Sequence, residues 1–124
     1  MLDTITIRQM PFDFPDEIDP VFIERDHQRS FAFIAGSLLL PYLEPYLIRS
    51  MKAAQKHVTD PKVLEGLKGF AAQEGQHYRM HMKFNAAVKR AGFPGLEVLE
   101  KELSDDYQRF TKTKSLRFNL AYAE

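Results

Sequence analysis

The stretch TDPKVLEGLKGFAAQEGQHYRMHMKFNAAVKRAGFP, residues 59–94, decides the fold. Asp60 followed by Pro61 is an N-cap with proline at the first helical position, a strong start signal. Gly92 and Pro94 supply the stop. The helix they bracket, predicted over 61–91, is about 30 residues and roughly 46 Å long at 1.5 Å per residue. That length is unusual for a small globular domain and ordinary for a helix bundle. Taken at alternating four- and three-residue steps, its inward seam reads Val63, Leu67, Phe70, Glu74, His77, His81, Phe84, Val88. Three polar residues thus interrupt the middle of an apolar stripe, where they carry a desolvation cost until something satisfies them.

A metal ion satisfies such a set, because carboxylate oxygen and imidazole nitrogen are natural ligands of iron, manganese and zinc. Glu74 and His77 form a Glu-x-x-His pair, by which one helical turn offers two ligands to one site. The alternative for these residues is a buried hydrogen-bonded pair or a solvated face. His81 reads as a neighbour that orients a ligand, as a ligand itself, or as a side chain capping the site. Gly66, Gly69 and Gly75 each cost about 1 kcal/mol against alanine inside a helix; their expected use is close approach of another helix.

Upstream, a second helical pattern runs from about residue 30 to 57, with Ser37, Leu40, Glu44, Leu47 and Met51 on one face. Pro41 and Pro45 lie inside it and predict a kink or a short break just before Glu44. Glu44 and Glu74 stand at matching distances from the intervening turn, so antiparallel pairing brings them to one height. Glu44 is therefore the third expected ligand.

Residues 1–28 read as an irregular acidic leader, with Pro11, Pro15 and Pro20 as punctuation and Phe12, Phe14 and Phe22 packing on the body. Downstream, helices are predicted at about 96–112, with Leu96, Leu99, Leu103 and Phe110 inward, and at 115–124. The chain ends inside that last pattern, so it reads as truncated within its last helix. With no alternating strand pattern, the class is all-α: one leader and one antiparallel helix bundle over 29–124.

Composition narrows the function. The 17 basic and 17 acidic residues cancel, which argues against a general nucleic-acid footprint. No cysteine is present, so disulfides, thiolate metal sites and cysteine nucleophiles are excluded. The longest unbroken apolar runs fall well short of the about 20 residues of a membrane span. A cytoplasmic protein without a membrane span is expected.

Three stretches, LPYLEPYLIRSMKAA (40–54), TDPKVLEGLKGFAAQEGQHYRMHMKFN (59–85) and LRFNLAYAE (116–124), carry a resemblance to a bacterial family of predicted metal-dependent hydrolases, whose architecture is similar to the ferritin-like di-metal carboxylate proteins. The resemblance implies that Glu44, Glu74 and His77 match ligands of the family's first half. It implies that Glu124 matches the glutamate of the third ligand helix, and that a later helix supplies a further glutamate and histidine. The expected function is then a metal-dependent hydrolase of ferritin-like fold with a di-metal centre, iron first, with manganese or zinc as alternatives. A small-molecule substrate and a homodimer that completes the site are the expected partners. The rival readings are a di-iron oxidase or oxygenase, a metal-storage module, and a structural helical dimerisation module.

Overall fold

Helix α1, His27–Ala54, begins where the Asp26 side chain accepts the Arg29 N–H at 2.9 Å, and it runs on into a 3-10 turn at Gln55–His57. It passes through Pro41 and Pro45 without interruption, so the expected break before Glu44 does not occur. The reason is local. Pro41 has no N–H to give the Ser37 carbonyl one turn back, and the Asn85 side chain from the next helix donates to that carbonyl instead, at 2.8 Å. The cost of one proline is thereby offset by a contact between helices.

The chain is described here from a computed structural model in which residues 5–123 are placed; they form helices and connecting segments, with no strand among them. Helix α2 spans Pro61–Arg90, capped by the Asp60 carboxylate accepting from the Lys62 N–H at 2.8 Å. Gly92, in the left-handed region at φ 90°, turns the chain out of it. Helix α3 spans Leu96–Thr113 and α4 spans Leu116–Ala123, the latter opened by the Ser115 hydroxyl accepting the Phe118 N–H.

The first two helices are antiparallel. As α1 ascends from Ser37 to Glu44, the partner on α2 descends from Asn85 to His77. α1 is the hub and packs against α2, α3 and α4. Toward α2 it builds an apolar cluster of Ile34, Phe84 and Val88, with Phe14 and Ile18 of the leader laid against it. Toward α3 and α4 it builds a second cluster around Tyr46, Tyr107 and Ala123. Tyr46 is fully enclosed there; it stacks on Tyr107 at 4.9 Å and donates its hydroxyl to Asn119 Oδ1 at 2.8 Å.

Several expectations need correction. Leu99 is 57% exposed, because the inward stripe of α3 is set by Glu100, Leu103, Tyr107 and Phe110; the buried Glu100 is held by Lys89 at 2.7 Å. Val63 and Phe70 at the start of the α2 seam are also exposed, since α2 packs mainly on α1. Of the three glycines of α2, only Gly69 is closely approached, and by Ile5 of the leader rather than by a helix; open space surrounds Gly66 and Gly75. The segment His27–His57 is long and apolar enough to meet the dimensions of a membrane span, at a mean hydropathy of 1.5 over its best window. The unbroken runs of apolar residues understated this, because small and hydroxyl residues separate them. The expected ligand Glu124 lies outside the described residues.

Candidate metal centre

Three side chains converge where α1 and α2 face each other. Glu44 on α1 is 2% exposed, yet neither of its carboxylate oxygens receives a hydrogen bond among the described residues. Its Oε1 stands 2.6 Å from Nδ1 of His77, and Glu74 Oε2 approaches the same nitrogen at 3.5 Å. One helical turn further along α2, Nε2 of His81 lies 2.9 Å from Nε2 of His77. Glu44, His77 and His81 each offer one donor atom, all within 4.8 Å of one another. Ligands about 2.0–2.2 Å from a zinc ion stand some 3–4 Å apart around it, so the cluster is close to the size of a cation site.

The proton order behind the cluster follows from Asn85. Its amide nitrogen donates to the Ser37 carbonyl, so its Oδ1 is the acceptor for the Ser37 hydroxyl, at 2.6 Å. A hydroxyl has one proton to give. Ser37 Oγ, 2.7 Å from Nδ1 of His81, therefore accepts there, and His81 carries its proton on Nδ1. That leaves the His81 Nε2 lone pair aimed at the cluster, the arrangement by which outer partners orient metal-binding histidines. Burial pushes the His81 pKa down, with a smaller contribution from His77, which keeps the ring neutral.

The proton between the two rings is then His77's, on Nε2, and Nδ1 of the same ring faces Glu44 Oε1 at 2.6 Å. A nitrogen and a carboxylate oxygen this close need a proton or a cation between them. In the metal-free chain a proton on Glu44 fills this role. Burial, with the nearby Glu74 charge adding to it, raises the Glu44 pKa to about 8. An enclosed carboxylate without a donor, beside two imidazoles, fits a divalent cation: its charge and acceptor capacity complement what the protein leaves unmatched.

The sequence reading placed Glu44, Glu74 and His77 as ligands and left His81 open between a neighbour that orients one, a ligand and a capping side chain. The structure gathers Glu44, His77 and His81 most tightly and sets Glu74 at the edge, its side chain 15% exposed. The sequence reading missed the Ser37 and Asn85 pair. Their signal was present: Ser37 lies on the inward face of α1, and Asn85 follows His81 by one turn.

No curated protein and no solved structure matches the chain. A family model described as predicted metal-dependent hydrolase matches residues 6–124, from the leader through every helix and over all of the clustered residues. The chain belongs to that family of predicted metal-dependent hydrolases.

Proposed function

We propose that this chain is a hydrolase that holds a divalent cation between Glu44, His77 and His81. The observation that carries this reading is the enclosed Glu44 carboxylate, without a hydrogen-bond donor among the described residues and in contact with an imidazole. Bound there, a divalent cation supplies Lewis-acid polarisation of a substrate carbonyl and acidifies water. Two imidazoles and one carboxylate suit zinc, and they suit ferrous iron equally. Ser37 and Asn85 hold His81 in the tautomer that leaves Nε2 unprotonated. Glu74, half-buried at the edge of the cluster, is positioned to accept a proton from an attacking water and pass it to a leaving group. α1 serves as the hub of the bundle, its buried Ser37 and Glu44 turned toward α2.

A dinuclear centre of the ferritin-like kind is the second reading, favoured by Glu74 as a further carboxylate 3.5 Å from His77. A second copy of the chain contributing its own Glu44 and Glu74/His77 would bring the donors to the number such centres use.

Metal content, solution mass and hydrolysis of 4-nitrophenyl acetate by the zinc- or iron-loaded chain test the proposal together. One ion per chain, with turnover that chelation abolishes and Glu74→Gln lowers about a hundredfold, supports it. Turnover indifferent to chelation overturns it. Two ions per pair of chains bridged in a dimer favour the dinuclear form.

A further inference from the structure

Beside the imidazoles lies a cavity of about 480 Å³ that the metal cluster does not itself require. One wall is α2; the other is the leader. The leader is fastened on both sides of the cavity: the Arg8 N–H donates to Gln73 Oε1 at 2.8 Å, and Arg90 donates to the Asp16 carbonyl. Much of the lining is aromatic, and it includes Phe33 of α1. Phe14, Phe22 and Phe33 each meet Phe84 edge-on, at 5.8, 5.7 and 5.6 Å between centroids. Met10 and Met80 add unbranched, adaptable walls. Met10, Phe12, Phe22 and Phe33 remain 38–53% exposed although they lie together, whereas apolar side chains so close to one another usually bury their surface. The polar members of the lining are Arg8 of the leader and Gln73, Gln76, His77 and His81 of α2.

Resting on the hydrolase reading above, we propose that this cavity is the substrate pocket and selects esters or amides with an apolar alkyl or aryl body. The volume falls in the range of about 300–1,000 Å³ typical of small-molecule sites, and a mostly apolar lining with few convergent polar groups is their usual make-up. A hydrocarbon body occupies the space among the phenylalanines and methionines. The carbonyl group is left at the imidazole side, next to Glu44 and Glu74. Selectivity for chain length follows, because each buried methylene adds to binding in proportion to the area it removes from water. The leader, with no regular structure of its own, acts as the fitted wall of the site.

Calorimetric binding of octanamide and of acetamide to the metal-free full chain tests the pocket separately from catalysis. Octanamide is expected to bind about a hundredfold more tightly. Met80→Glu and Met10→Glu, on opposite walls, should each weaken octanamide at least about tenfold while leaving the helical content and zinc affinity unchanged. Glu44→Gln should remove zinc binding and leave octanamide binding intact. Equal affinity for the two amides, or octanamide binding indifferent to both methionine variants in folded protein, overturns the pocket. Loss of zinc binding to the unaltered chain with octanamide selectivity retained would overturn the metal reading and leave the pocket standing.

Discussion

Asn85 and Ser37 exchange two hydrogen bonds across the α1–α2 interface: the asparagine amide donates to the serine carbonyl at 2.8 Å, and the serine hydroxyl donates to the asparagine oxygen at 2.6 Å. The first bond takes up an acceptor that Pro41 leaves without its helical donor. The second dictates which nitrogen of His81 carries the proton. A single pair thus joins the continuity of α1 to the readiness of the metal cluster.

Replacing Asn85 by alanine should therefore act twice. Two buried groups lose their partners, so the chain is expected to lose at least about 2 kcal/mol of stability by denaturant unfolding. Metal affinity should also fall about 10- to 100-fold, as it does when the partner orienting a metal-bound histidine is removed. Ser37→Ala, which keeps the amide-to-carbonyl bond, should show the affinity loss with the smaller stability loss. Equal metal affinity in all three proteins would contradict the proton order derived for His81.

The pH dependence has a definite sign. Glu44 titrates at about 8 in the fold against 4.5 as its ordinary value, so between those values the folded chain holds a proton that the unfolded chain has released. Stability of the metal-free chain should accordingly fall as pH rises from about 4.5 to about 8 and level off above. A metal ion needs that proton gone. Apparent metal affinity should rise with pH through the same window, by up to about tenfold per unit, and then level off. Glu44→Gln should flatten the stability profile; a profile as steep in the variant as in the unaltered chain would assign the dependence to another group.

On the far side of α1, Tyr46→Phe removes the donor to Asn119 and leaves a buried amide oxygen unmatched. A loss of about 1–3 kcal/mol is expected, without change in metal affinity, because the site lies on the other face of the hub helix. Thermal unfolding with and without zinc separates the two effects.

Much of this was legible in the sequence, for reasons that differ by element. The ends of α2 were announced by Asp60, Pro61 and Gly92, residues whose backbone chemistry is local. Glu74 and His77 stood out because charge and imidazole in an apolar stripe demand a partner. The prolines of α1 misled, since a local rule predicts a break and the compensating Asn85 sits more than 40 residues away. In α3, Leu99 and Glu100 are neighbours on the helix surface, and composition favours the leucine as the buried one; Lys89, on another helix, reverses the choice. The pocket was hidden for the same reason. Phe12, Phe14 and Phe22 mark aromatic packing from an otherwise acidic leader, and only the fold lays them beside His77 and His81.

The central claim is that Glu44, His77 and His81 share one cation. It is tested most directly by equilibrium titration of zinc and of ferrous iron into the metal-free chain, beside the variants Glu44→Gln, His77→Ala and His81→Ala. The account predicts saturable binding near one ion per chain, weakened at least about a hundredfold by each substitution, with the helical content of all four proteins the same. Binding that survives all three substitutions, or no binding to the unaltered chain at pH 8, would contradict it.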